Sequence, residues 1–109
     1  MKYSVIILEP AKDFLLNLDI KLRAKAFRTI ELLQELGPIL KEPHTKKIVG
    51  TKNLYELRIK FSNNICRLFY FHHERNIYII TSGYIKKDHK LNKSEIDKAL
   101  KLMKLFKEE

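Results

Sequence analysis

Apolar and polar positions in the first third of this chain follow a strand pattern and then a helical one. Residues 3–8 are mostly β-branched or aromatic, which predicts a strand. Pro10 suits the first turn of a short helix to about Leu18, because the N–H that proline lacks has no intrahelical partner there. Asp19 is a candidate N-cap for a longer helix, which Gly37-Pro38 ends. These signals predict a strand followed by a helical hairpin.

From residue 55 to residue 61, every second residue is apolar, which is the pattern of strands with one buried face. The sequences Ser62-Asn63-Asn64 and Glu74-Arg75-Asn76 are typical of turns. They separate three predicted strands, at about residues 54–61, 65–72 and 77–84. Consecutive strands joined by short turns predict an antiparallel meander.

A connection and a final helix complete the predicted fold. Residues 38–53 are rich in lysine and favour an irregular connection with a short strand near Ile48. The final helix begins at Asn92 or at Ser94, since each has an acidic residue three positions later. The order β-α-α-β-β-β-α predicts an α+β fold in a single domain spanning residues 1–109, with two helices packed on one face of an antiparallel sheet.

Charge and cysteine content narrow the classes of protein that fit. The 109 residues include 22 Lys and Arg against 13 Asp and Glu, a formal net charge of +9, which favours a polyanionic partner such as nucleic acid. No apolar run reaches the roughly 18 residues of a membrane span, and the N-terminus lacks the pattern of a signal peptide. Cys66 is the one cysteine, which excludes an internal disulfide and fits a reducing compartment. We therefore expect a cytoplasmic protein without a membrane partner.

Basic residues cluster on one face of the predicted sheet. If Asn63-Asn64 forms a two-residue hairpin loop, Lys60 lies opposite Arg67, and Arg58 lies two residues along the same face. Like charges that face each other normally destabilise a sheet. This cluster therefore requires an anionic neighbour, a ligand or simple solvation.

The next strand and the loop after it extend this basic face. A second turn centred on Glu74-Arg75 pairs Arg67 with Ser82, so Tyr84 and the loop from Lys86 to Lys90 border the cluster. Arg offers a two-pronged donor to phosphate oxygens, and Lys supplies a compact positive charge. These residue types suit phosphoester chemistry, although a solvated basic surface gives the same pattern.

Other residues with reactive side chains give weaker signals. His72-His73 resembles a metal pair, but adjacent strand residues point to opposite faces, and no second cysteine or suitably spaced carboxylate accompanies the histidines. Cys66 falls on the apolar side of its strand, where it behaves as a small core residue. We therefore predict no metal site and no cofactor.

Four segments, in their order and spacing, resemble the HigB-like branch of the RelE/ParE-type toxins of bacterial type II toxin-antitoxin systems. They are Leu54-Tyr55-Glu56-Leu57-Arg58, Cys66-Arg67-Leu68-Phe69-Tyr70-Phe71, Gly83-Tyr84-Ile85-Lys86-Lys87 and the helix with Glu95-Ile96 and Ala99. The resemblance covers nearly the whole chain. It implies the RelE fold and a ribonuclease that cleaves mRNA in the ribosomal A site, without a metal, through attack of an RNA 2′-hydroxyl. It also implies a cognate antitoxin of the helix-turn-helix, HigA-like type.

The resemblance also implies which residues act on RNA. Arg58 and Lys60 fall on the strand where RelE-like enzymes have basic catalytic residues, and Arg67 falls on the arginine that contacts the scissile phosphate. A further basic residue after the last strand is either Lys86 or Lys87.

The general base does not follow from the resemblance. RelE has a catalytic tyrosine near its C-terminus, but this chain has no tyrosine after Tyr84. His89 or a lysine takes this role in our hypothesis. Contacts to RNA or the ribosome are expected from Lys46, Lys47, Lys52, Tyr84 and Lys90.

Two other functions fit the same fold. The ParE branch poisons DNA gyrase by binding and has no nuclease activity, and an inactive relative would bind only its antitoxin or RNA. The basic pattern of Arg58, Lys60 and Arg67 favours the nuclease.

Overall fold

The computed structural model describes residues 2–86 and 92–108 and follows the predicted order of helices and strands. The elements are β1 (Ser4–Ile7), α1 (Glu9–Leu16), α2 (Ile20–Leu36), a 3₁₀ turn (Gly37–Ile39), β2 (Thr45–Lys47), β3 (Tyr55–Phe61), β4 (Asn64–Glu74), β5 (Ile77–Lys86) and α3 (Lys93–Glu108). The short strand predicted near Ile48 lies just before it, as β2. No described helix is long and apolar enough to cross a membrane.

The five strands form one mixed sheet in the order β1-β5-β4-β3-β2. The predicted meander is confirmed, because β3, β4 and β5 pair antiparallel in sequence order. β1 pairs with β5 in parallel, from Ser4 opposite Ile77 to Ile7 opposite Ile80. The helical hairpin is therefore part of the crossover that returns the chain to the same sheet.

The helical hairpin has nearly the predicted boundaries, and α1 ends at Leu16, two residues before the predicted end at about Leu18. Pro10 lies in the first turn of α1, and the Asp19 carboxylate caps α2 by accepting a hydrogen bond of 3.1 Å from the backbone N–H of Lys21. α2 ends at Gly37, whose φ of +52° favours glycine. A Cβ atom at Gly37 would also overlap the ring of Tyr3, so a side chain here would require that ring to move.

The main core lies between the hairpin and one face of the sheet, as the alternation in β3 predicts. Leu57, Ile59 and Leu68 are fully buried or nearly so in this layer, with Leu22, Ala26, Ile30 and Leu33 of α2. Cys66 is buried in the same layer, which confirms its assignment as a core residue.

α3 packs on the opposite face of the sheet, where the sequence analysis placed no helix. A smaller cluster joins it to the sheet, with Ile96 and Ala99 of α3 against Leu54 and Phe69. Near the other end of α3, the ring of Phe106 meets the sheet edge-on. α3 therefore covers only part of this face.

The predicted strand register is wrong by two residues at both hairpins. The first two-residue loop is Ser62-Asn63, with φ of +56° at Ser62, so Arg58 rather than Lys60 lies opposite Arg67. The second turn is Arg75-Asn76, with φ of +49° at Arg75. Arg67 therefore pairs with Tyr84 and not with Ser82, and Lys60 pairs with Ile65. The residue that adopts a left-handed conformation determines where each turn lies. The predicted turns, at Asn63-Asn64 and Glu74-Arg75, were each one residue away from the observed ones.

Because Cys66 is buried, we expect the protein to lose stability at alkaline pH. Burial raises the pKa of its thiol to about 12, so the folded chain keeps a proton that the unfolded chain releases near the ordinary thiol pKa. The free energy of unfolding should fall as the pH rises from about 8 to about 10.5, and it should fall less in Cys66→Ala. Urea denaturation at each pH measures the difference.

At neutral pH the same substitution should lower the free energy of unfolding by about 1–2 kcal/mol, for the lost packing. Tyr70, whose pKa burial also raises to about 12, is present in both proteins and does not contribute to the difference. Equal alkaline slopes in the two proteins would contradict a buried, protonated thiol.

Candidate functional site

A basic cleft of about 180 Å³ lies on the face of the sheet that α3 only partly covers. Five basic side chains line it, from β2, β3, β4 and β5: Lys46, Lys47, Arg58, Arg67 and Lys86. Glu56 and Tyr84 also line it, and Ile96 at the start of α3 forms one wall. The basic cleft is therefore assembled by strand pairing across four strands and is closed at one side by the final helix.

Glu56 lies at the centre of the basic cleft and binds both of its arginines. Its side chain is 5% exposed, and one carboxylate oxygen accepts a hydrogen bond of 3.1 Å from Arg58 Nε and a second from Arg67 Nη1. Glu56 and Arg58 are two residues apart in β3, so they share a face, and Arg67 lies directly opposite Arg58. This carboxylate is the anionic neighbour that the paired like charges require.

Sequence reasoning missed Glu56 as part of the site. The signal was present, because the same period of two that placed Arg58 and Lys60 on this face also places Glu56 there. Glu56 appeared only as one more polar residue of an amphipathic strand. Glu56 pairs with Lys46 of β2 and with Phe69 of β4, and the alternation specifies neither pairing.

The two arginines retain donors that Glu56 does not use. Arg58 binds Glu56 through Nε, and its side chain is 29% exposed, so its Nη groups remain available to a ligand. Arg67 is 11% exposed, and its Nε is buried without a hydrogen-bond partner among the residues that the structure describes. A guanidinium has five N–H donors, and the pair can therefore bind phosphate oxygens while Glu56 holds both side chains in place.

Tyr84 lies directly opposite Arg67 and adds an aromatic ring and a hydroxyl to the basic cleft. Its ring stacks on that of Phe69, with centroids 5.6 Å apart and an angle of 19° between the planes. Burial raises the pKa of Tyr84, and the nearby Arg67 opposes part of this rise. The phenol is therefore neutral at neutral pH, where its hydroxyl can donate a hydrogen bond.

The structure brings most but not all of the predicted site residues together. Arg58, Arg67, Lys86, Tyr84, Lys46 and Lys47 line the basic cleft. Lys60 lines a neighbouring groove beside Lys25 and Arg28 of α2 and does not line the cleft, and Lys52 is an exposed residue outside it. Lys87, His89 and Lys90 lie outside the described residues.

Metal ligands are not clustered in the part of the chain that the structure describes. Residues 2–86 and 92–108 contain no group of three or more His, Cys, Asp or Glu side chains that could hold a metal ion. His72 contacts the backbone oxygen of Arg75, and the ring of His73 meets that of Phe106 edge-on. His72 therefore contacts the β4–β5 turn, and His73 packs against the end of α3.

The sequence also matches a known family along most of its length. The family described as phage derived protein Gp49-like (DUF891) matches residues 13–104, which include most of the hairpin, the basic cleft and most of α3. The chain belongs to this Gp49-like family. No curated protein matches the sequence significantly.

Solved structures with the same fold are RelE toxins. A doubly substituted Escherichia coli toxin RelE in its free state is 22% identical, with a TM-score of 0.68, over 93% of this chain and 97% of that chain. RelE in the archaeal RelE–RelB complex from Pyrococcus horikoshii is 20% identical, with a TM-score of 0.59, over 84% and 100%. RelE in the intact E. coli RelBE complex is 19% identical, with a TM-score of 0.59, over 81% and 99%. The resemblance to RelE-type toxins is therefore confirmed, and the α+β fold with it. None of these matches distinguishes the HigB-like branch.

The role of Glu56 in holding the arginine pair can be tested by removing only its charge. Glu56→Gln keeps the shape of the side chain but leaves two neighbouring arginines without their carboxylate in a largely buried site. We expect the free energy of unfolding to fall by about 3 kcal/mol, the order found when one partner of a buried ion pair is removed. Urea denaturation at neutral pH measures this loss.

Glu74→Gln is the matched control for this measurement. Glu74 is a glutamate on β4 whose side chain is 67% exposed. Its replacement should change stability by less than about 1 kcal/mol, because exposed ion pairs contribute little. If the two variants lose the same amount, Glu56 does not hold the arginines in the way described.

Proposed function

We propose that this Gp49-like protein is the toxin of a type II toxin-antitoxin system and cleaves mRNA on the ribosome. The observation that carries the proposal is the arginine pair of the basic cleft, which Glu56 orients while leaving donors for a phosphate. Phosphoryl-transfer catalysis depends chiefly on preorganised cations placed where negative charge develops. On this proposal the chain acts in the cytoplasm, where translating ribosomes are found.

In the proposed reaction, an RNA 2′-hydroxyl attacks the adjacent 3′-phosphate. A bond forms between the 2′-oxygen and phosphorus, and the bond from phosphorus to the 5′-oxygen of the next nucleotide breaks. The products are a 2′,3′-cyclic phosphate and a 5′-hydroxyl, and a proton moves from the nucleophile to a base while the leaving oxygen gains one. Arg58 and Arg67 stabilise the charge of the pentacoordinate phosphorus through their remaining N–H donors.

Proton transfer is assigned to residues at the end of β5 and just beyond it. Tyr84 is a poor base, because burial favours its neutral form. Its hydroxyl donates a hydrogen bond to a phosphate oxygen in this proposal. The general base of our hypothesis is His89 or a lysine, and Lys86, the last residue of β5, lines the basic cleft.

Partners follow from the same proposal. Two of the RelE structures that share this fold contain RelB. We infer that this chain also has a cognate antitoxin, of the helix-turn-helix, HigA-like type that the sequence resemblance implies. The net charge of +9 favours contact with ribosomal RNA, with Lys46, Lys47, Lys52 and Lys90 as contact residues.

Primer extension on a defined mRNA, with and without programmed ribosomes, tests the activity. We expect cleavage only with ribosomes, and fragments that end in a 2′,3′-cyclic phosphate. Arg67→Lys keeps a cation beside Glu56 but removes the two-pronged donor. The rate of cleavage should fall about 100-fold or more, while the urea denaturation curve stays close to that of the unsubstituted protein.

Arg23→Lys is the matched control, since Arg23 lies on α2 and does not line the basic cleft. It should cleave at the unsubstituted rate. Full activity in a folded Arg67→Lys protein would overturn the site assignment. A folded protein that cuts in neither reaction would favour a gyrase poison, detected by loss of DNA supercoiling, or an inactive antitoxin-binding relative.

A further inference from the structure

A second cavity lies on the other face of the sheet, away from the basic cleft. It measures about 520 Å³ and opens between the segment after α2 and the adjacent ends of β3, β4 and β5. We call it the tyrosine pocket, because Tyr55, Tyr70 and Tyr78 line it together with Lys41, Thr45 and Lys47. Lys46 and Lys47 line both cavities, and the function proposed for the basic cleft uses no other residue of the tyrosine pocket.

The three tyrosines of the pocket form one packed group. The ring of Tyr55 stacks on that of Tyr70, with centroids 5.6 Å apart, and Tyr78 meets Tyr70 edge-on at 5.7 Å. The Tyr70 hydroxyl is hydrogen-bonded to the Thr45 hydroxyl on β2. The hydroxyls of Tyr55 and Tyr78 make no hydrogen bond to any other described side chain or backbone atom. The pocket therefore offers two phenol donors on a rigid aromatic floor.

The charge around the tyrosine pocket is positive. Lys41, Lys46 and Lys47 line it, against the single carboxylate of Glu42. None of the three lysines forms an ion pair with a carboxylate among the residues that the structure describes. Ammonium groups and phenol hydroxyls together suit an anion with several acceptor oxygens, and they disfavour a cation or a purely apolar ligand.

β2 connects the tyrosine pocket to the basic cleft. Lys46 and Lys47 of this strand contribute to the lining of both cavities. β2 is also an edge strand of the sheet. A chain of phosphates that leaves the cleft can therefore pass over this edge and reach the pocket without meeting another strand.

From this chemistry we propose that the tyrosine pocket binds a phosphate ester of a nucleotide, at a site separate from the basic cleft. The phosphate contacts Lys41 and Lys47 and accepts hydrogen bonds from the hydroxyls of Tyr55 and Tyr78. The source of the ester is either a free nucleotide or the backbone of an RNA strand. Binding here does not require that the basic cleft cleave RNA.

Nuclear magnetic resonance titration of the ¹⁵N-labelled full chain tests this site. The probes are uridine monophosphate and a six-nucleotide RNA, and the readout is the amide shifts of Thr45, Tyr55 and Tyr78. Lys41→Ala and Tyr55→Phe alter only the tyrosine pocket, because neither residue lines the basic cleft. Each should weaken binding at these amides about fivefold, the order for one partly exposed charge-assisted hydrogen bond. Lys104→Ala, at an exposed position of α3, should leave binding unchanged.

The titrations distinguish the two sources and separate this proposal from the proposed nuclease. Shifts in the tyrosine pocket with both probes identify a nucleotide site, and shifts with the RNA alone identify an RNA strand as the ligand. The shifts at the tyrosine pocket should persist in Arg67→Lys if the pocket is a separate site. Shifts confined to Glu56, Arg67 and Tyr84, or equal affinities in Lys41→Ala and Lys104→Ala, would overturn the proposal and leave the nuclease assignment untouched.

Discussion

The buried carboxylate of Glu56 is the interaction on which the candidate site depends. Two arginines that face each other across neighbouring strands repel, and a partly buried guanidinium also loses hydration. Glu56 offsets both costs at once, because one of its oxygens accepts hydrogen bonds from Arg58 and Arg67. The three residues carry a net charge of +1 rather than +2. The strands can therefore pair at this position and still present positive charge to the basic cleft.

The two faces of the sheet are covered to different extents. The helical hairpin covers most of one face, where the buried core includes Leu57, Ile59 and Leu68, and the tyrosine pocket opens beside it. α3 covers the other face through only a few apolar contacts, centred on Ile96 and Ala99. The uncovered part of this face is where β3, β4 and β5 present charged or aromatic side chains. The same alternation in β3 thus supplies core residues to one layer and site residues to the other.

The sequence predicted the elements well and the register poorly, for physical reasons. The spacing of apolar residues and the residues that cap or end a helix, such as Asp19 and Gly37, are local signals. The structure confirms both residues in these roles. Register depends on which turn residue adopts a left-handed conformation, and Ser62 and Arg75 carry no strong signal for it. The error placed Lys60 opposite Arg67, and it placed Tyr84 at the border of the cluster although Tyr84 lies directly opposite Arg67. The location of α3 depends on the packing of Ile96 and Ala99 against the sheet, which periodicity does not encode.

Arginine fits the two positions beside Glu56 better than lysine, and the reason lies in donor geometry. Lysine would have to divide one ammonium group between the carboxylate and a ligand, and the two acceptors would compete for the same point charge. Arginine can donate through one nitrogen to Glu56 and keep others in a fixed plane for a second acceptor. Arg58 does so, since its bond to the carboxylate uses only Nε. A phosphate therefore need not displace Glu56 to bind, and the preorganisation of the basic cleft survives ligand binding. The lysines of the basic cleft have no such carboxylate among the described residues, and a point charge is sufficient at their positions.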